Sequence, residues 1–241
     1  MRLEPDEQDQ LIGETFARFF TENSTLARVR AAPSGFDVEL WRGLAAMGAL
    51  ALRVPEQNGG MGLGLFQTSL ITEQAGRTLV SAPLCEALVA ARLLAELGGH
   101  RAQDWSRRIA AGGAVVTLAL GDAAVRSHQW VAGGAVADAV LTLAGDEVSL
   151  RILSPQERVC EPNLASTPMA EIDLGSGERL ILSSGKSTRN AFLAGVEEWK
   201  VLIAATLCGL SLEALRLAAA YACDINLISC LSSYLQQRSS T

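Results

Sequence analysis

Few residues in this chain have the types and spacings that do chemistry. Gly59, Gly60, Gly62 and Gly64 form a glycine-rich turn of the general kind that can cradle a dinucleotide phosphate. They do not write G-x-G-x-x-G, and the local order is turn then helix within helical surroundings, so no βαβ unit supports that use. Neither a Walker A motif nor a G-x-S-x-G elbow occurs. Glu73 lies four residues before Arg77 on an amphipathic stretch, where an ion pair along the helix face explains it better than a general base. His100 and His128 are the only histidines, and neither has Cys, Asp or Glu at ligand spacing, so no metal site is expected. The cysteines Cys85, Cys160, Cys208, Cys223 and Cys230 are odd in number and lack CxxC spacing, which predicts buried free thiols in a reducing compartment. Trp130 and Trp199 could stack on a flat cofactor, although aromatic residues in cores need no cofactor to explain them. No catalytic constellation assembles from these groups, and no catalytic residue is assigned.

The elements that would carry these residues change character along the chain. Asp6 to Asn23 reads as a helix with Leu11, Ile12, Phe16, Phe19 and Phe20 turned inward. Asp37 is the expected N-cap of a helix through Met47, with Gly48 closing it. After Pro55 and the glycines, Phe66 to Leu79 reads as helix, with Leu65, Phe66, Leu70, Ile71, Ala75 and Leu79 facing in. Pro83 suits the first turn of a further helix ending at Gly98-Gly99, and a short helix is expected over Asp104 to Ala110.

Past Gly112-Gly113 the period becomes that of strands. Ala114–Leu120, Ala137–Leu143, Glu147–Leu153, Ala170–Leu174 and Arg179–Leu182 are short apolar or alternating runs separated by turn residues, as in a small antiparallel sandwich or barrel. From about Gly195 the pattern is helical again, with few charges, and Gly209 among alanines would let another helix approach closely. The expected organisation is α+β multidomain: an N-terminal helical domain at 1–112, a middle β domain at 113–190, and at 191–241 the start of a C-terminal helical domain.

Hydrophobic residues make up 49% of the 241, enough for packed cores. The net charge is −6 without a Lys/Arg cluster, which argues against nucleic acid as a partner. The acidic, polar N-terminus is no signal peptide, and the longest apolar run, Val201 to Leu212, is short for a membrane span, so a cytoplasmic location is expected.

Trp41, Leu44 and Gly48, then VPEQNGGMG from Val54 and ITEQAGRTL from Ile71, followed by Pro83, resemble the N-terminal domain of acyl-CoA dehydrogenases. The resemblance extends over about residues 5 to 222, strongest at 41–83, and the order helices, β domain, helices is also the family's. It implies FAD between the β domain and the C-terminal helices, and removal of hydrogens from the α and β carbons of an acyl-CoA thioester. In that chemistry a glutamate takes the α-proton and the flavin takes the β-hydride.

The family's functional motifs are altered here. Leu118 to Val125 reads LALGDAAV where the family has T-E-P-x-x-G-S-D. HQWVAGGAVAD, from His128 to Asp138, stands for K-x-W-I-T-N-G…A-D. The resemblance therefore gives Trp130, Val131 and Ala132 as cofactor-binding positions, with Ala132 where a hydroxyl would sit beside the flavin. WKVLIAATLCGLSLEALRLAAAYA, from Trp199, resembles the start of the C-terminal domain, but INLIS stands at Ile225 where R-x-Q-F-G is expected, implying a truncated domain. The resemblance implies FAD, held by this chain or together with a partner chain, an acyl-CoA substrate, and assembly as a homo- or hetero-oligomer with an acyl-CoA dehydrogenase subunit.

Overall fold

The computed structural model describes residues 4–97 and 99–224. Helix α1 (Glu7–Asn23) begins at a capping box, in which the Asp9 amide donates to the Asp6 carboxylate at 2.9 Å and the Asp6 amide donates to that of Asp9 at 3.2 Å. Phe16 and Phe20 face the core, but Leu11, expected inward, is exposed because it lies half a turn round the helix from Phe20. A short α2 (Leu26–Ala31) that the pattern did not announce follows, then α3 (Val38–Ala46). The Asp37 cap accepts from the Glu39 and Leu40 amides and is itself held by Arg28 at 2.8 Å. Gly48 closes α3 at φ 72°, as expected.

The glycine turn is a packing device. Gly59 takes φ 86°, and a Cβ on Gly60 would lie 2.1 Å from the Val54 carbonyl oxygen, so neither position accepts a side chain without strain. Asn58 Nδ2 donates to the Ala95 carbonyl at 3.0 Å and Arg53 Nη1 to that of Leu63 at 2.5 Å, fixing the turn against its neighbours. Helix α4 (Leu65–Arg77) ends earlier than expected: Leu79 has φ 54° and faces solvent, so it does not extend the inward stripe. Helix α5 (Leu84–Leu97) is buried along nearly its whole length, and α6 (His100–Ala110) starts four residues before the expected Asp104.

The β region has six strands: β1 (Val116–Asp122), β2 (His128–Val131), β3 (Ala139–Ala144), β4 (Glu147–Ile152), β5 (Ala170–Asp173) and β6 (Arg179–Ser184). Four form a sheet in the order β1-β3-β4-β6, and β2 pairs with β5. Every pairing is antiparallel except β1 with β3, which is parallel and departs from the expected all-antiparallel pattern. β2 was not anticipated as a strand. The alternation read in β4 does not appear as burial: Val148 to Arg151 are all buried, because a central strand is covered on both faces.

Helix α7 (Lys186–Asp224) is one continuous rod of 39 residues, roughly 60 Å long, and begins well before Gly195. Lys186–Cys223 is long and apolar enough to cross a membrane by length and composition, which the count of uninterrupted apolar residues did not suggest. Its early half nonetheless packs within the protein. Cys85 is buried, but Cys208 and Cys223 lie exposed on α7 rather than buried as expected; Cys230 and Ile225 fall outside the described residues.

Candidate functional site

Two places deserve a site's scrutiny: the seam where α7 meets the helical region, and the surface around β2. At the seam the backbones of α4 and α7 touch. A Cβ on Gly76 would lie 1.9 Å from the Thr206 carbonyl oxygen, and one on Gly209 would lie 1.9 Å from that of Glu73. The glycine of E-x-x-G-R is therefore a crossing glycine, and Gly209 performs the close approach its setting suggested. Glu73 pairs with Arg77 at 3.0 Å, the helix-face ion pair expected from their spacing.

Next to this crossing lies a nearly buried ionic knot. Glu198 on α7, 6% exposed, accepts from Arg53 Nε at 2.7 Å and faces Arg92 Nε at 2.6 Å. Arg92 also reaches Glu96. One residue on, Trp199 donates its indole N–H to Glu86 on α5 at 2.8 Å, and Cys85 Sγ lies 3.6 Å from the Thr206 hydroxyl. Burial raises the pKa of Glu86 above the usual carboxylate range, against the lowering pull of the Trp199 N–H, and burial likewise pushes the Cys85 thiol up. Sequence reasoning missed this knot. Nothing in the local sequence sets Glu198 apart from the neighbouring Glu197, and its partner Arg53 is 145 positions away.

A cavity of about 520 Å³ opens beside the knot, lined by Arg53, Glu56, Arg92 and Glu96 among others. Its two guanidinium groups face two carboxylates, and both arginines are already bound to Glu198, so it offers little to an anionic ligand.

Around β2 the side chains alternate. Gln129 and Val131 point in, while His128 and Trp130 point out, Trp130 being 55% exposed. Of the three positions Trp130, Val131 and Ala132, the first is exposed, the second buried and the third half-buried. The Ala132 carbonyl oxygen accepts from the Thr117 hydroxyl at 2.5 Å. The turn from β1 to β2 satisfies its own polar groups. Gln129 Oε1 accepts from the Gly121 amide, and its Nε2 donates to the carbonyls of Gly121 and Arg126. Asp122 accepts from the Ala124 and Gly145 amides, and Arg189 approaches it at 3.4 Å. Burial alone would raise the Asp122 pKa, but these amides and Arg189 outweigh it and hold the carboxyl below its usual range.

Ser127, His128 and Asp173 also meet here. Ser127 Oγ (3.2 Å) and Asp173 Oδ1 (3.8 Å) both approach Nδ1 of the histidine, so the group cannot relay a proton from one nitrogen to the other. Both histidines are exposed, and no cluster of metal ligands occurs among the described residues.

A helical region, a small β region and a long following helix thus succeed one another along the chain. The model of the acyl-CoA dehydrogenase N-terminal domain family matches residues 6–113. Residues 6–113 thus carry an acyl-CoA dehydrogenase N-terminal domain, and the relatives the chain matches are acyl-CoA dehydrogenases. It is 31% identical over 151 residues to acyl-CoA dehydrogenase IpdE2 of Mycobacterium tuberculosis, an alignment spanning 61% of this chain and 45% of that protein. The chain thus spans less than half the length of that relative. Its structure is similar to the ChsE4-ChsE5 complex of M. tuberculosis (TM-score 0.72, 20% identity, 92% of this chain and 68% of that one). It is equally similar to the Tcur3481-Tcur3483 steroid acyl-CoA dehydrogenase (TM-score 0.72, 24% identity, 89% of this chain and 66% of that one). At these identities the structural likeness is one of fold.

Proposed function

We propose that this chain serves the α,β-dehydrogenation of an acyl-CoA thioester as a scaffold subunit of a two-chain dehydrogenase, with FAD and the base supplied chiefly by the other chain. The observation that carries the reading is the self-satisfied turn between β1 and β2. Where the family's flavin-contacting loop would present hydroxyls, Gln129 and Asp122 bind the turn's own backbone at Gly121, Arg126 and Ala124, and Ala132 has no hydroxyl. These residues do not make a flavin site, and no chemical step is assigned to them. The two similar structures named for paired proteins support a two-chain assembly, and one named for a steroid enzyme supports a bulky acyl-CoA as substrate. The exposed leucines and Tyr221 on the later half of α7 offer a helical partner an apolar face. In this reading the chain has three units, at 1–112, 113–190 and from 191 on, and works in the cytoplasm with α7 covered by protein rather than lipid.

The test is co-expression with an acyl-CoA dehydrogenase encoded beside it, followed by purification and acyl-CoA-dependent dye reduction. A flavin-containing complex that turns over, from a chain inert on its own, is the expected result; turnover by the isolated chain overturns it. A second reading, in which the chain is itself an acyl-CoA dehydrogenase-like flavoprotein, is favoured by one observation only, the exposed ring of Trp130 on the face where the resemblance puts the flavin.

A further inference from the structure

Helix α7 is fastened to α5 at three successive points, Glu198, Trp199 and Thr206, and these fastenings differ in kind. Glu198 is an ion pair with Arg92, shared with Arg53. Thr206 faces the Cys85 thiol, a contact between neutral groups. Glu86, between them, is a carboxyl 7% exposed whose side-chain hydrogen bond comes from the neutral indole of Trp199. A carboxylate in such a place has given up water without gaining a cation, and that favours the protonated form.

The charges nearby leave this unchanged. On α7, Glu198 is committed to Arg53 and Arg92, and on α5 the neighbouring Cys85 is neutral, its thiol raised by burial. Of the elements packed on α5, β1 has Asp122 as its one ionisable residue, and that is bound at its far end to Arg189. The chain between α3 and the glycine turn brings Arg53, already paired. On α6, His100, Arg101, Asp104, Arg107 and Arg108 make no ion pair or hydrogen bond with Glu86.

We propose that Glu86 is a proton-operated catch between α5 and α7. Protonated, it fits the dry seam with Trp199 as donor; ionised, it draws water into the seam and loosens the early half of α7 from α5. Because the same helix also makes the Gly76–Gly209 crossing a few residues further on, the catch would set how firmly α7 presents its exposed flanks. The raised pKa of Glu86 agrees in direction. The sign follows: stability from this group is complete below the unfolded carboxylate pKa and is lost as pH rises through the higher folded one.

The test is hydrogen–deuterium exchange of segments 84–92 and 196–206 in the full chain, corrected for intrinsic rates, between about pH 5 and about pH 9. Wild-type protection is expected to fall with rising pH, by about tenfold for each pKa unit separating folded from unfolded Glu86. Glu86→Gln is expected to abolish the fall while keeping the donor contact. Trp199→Phe, which removes the donor favouring the ionised form, is expected to move the fall to higher pH. A pH profile unchanged by both substitutions, or a wild-type profile that is flat, overturns the proposal.

Discussion

Where α4 crosses α7, two backbones touch through Gly76 and Gly209; where β1 turns into β2, the chain bonds to itself through Gln129 and Asp122. The first contact is set by sterics, since almost no atom can be added at either glycine. The second is set by hydrogen-bond satisfaction, since a buried amide side chain and a carboxylate consume the donors and acceptors of the turn. Both are rigid, yet they have opposite consequences. The crossing fixes how closely α4 and α7 pack. The turn spends locally the polar groups that would otherwise reach a bound molecule. The proposed function rests on this difference: packing is kept at the crossing, while the turn's polar groups are used within the turn.

Substitutions on the two sides should differ in size. Glu198→Ala strands Arg53 and Arg92 in a nearly buried place and is expected to cost about 3 kcal/mol in urea unfolding, the low end for a broken buried pair, because Arg53 keeps some solvent. Gly209→Val forces α4 and α7 apart and is expected to cost about 2–3 kcal/mol, read in the same experiment. Gln129→Ala leaves the Gly121 amide and two carbonyls without their partner; about 1–2 kcal/mol is expected, with faster exchange of the 121–129 amides. Trp130→Ala, at an exposed ring, is expected to move stability by no more than about 0.5 kcal/mol. If Trp130→Ala cost as much as Gly209→Val, the division between scaffold and turn would not hold.

The scaffold was legible because it rests on local rules. The Asp37 cap, the Gly48 stop and the turn glycines each follow from neighbours within a few residues. Gly209 was legible too, since small residues in an apolar helix announce a close neighbour, though not that α4 would be the neighbour. Leu11 and Leu79 misled because helical spacing marks candidates for burial without saying where the helix ends or which arc meets the core. β2 escaped because His128 to Val131 is short and half exposed. The Glu198 knot and the Glu86–Trp199 bond were out of reach, since their partners are brought together only by the packing of α7. At the candidate site, Ala132 without a hydroxyl could be read directly, but the closing role of Gln129 could not, because a glutamine beside a tryptophan carries no signature of its own.

Flavin retention tests the central claim most directly. The purified full chain would be saturated with FAD, desalted, and its bound flavin measured by absorbance against protein concentration. The expected result is far less than one flavin per chain alone, rising toward one per pair when the partner dehydrogenase is present. One flavin retained per isolated chain would contradict the account.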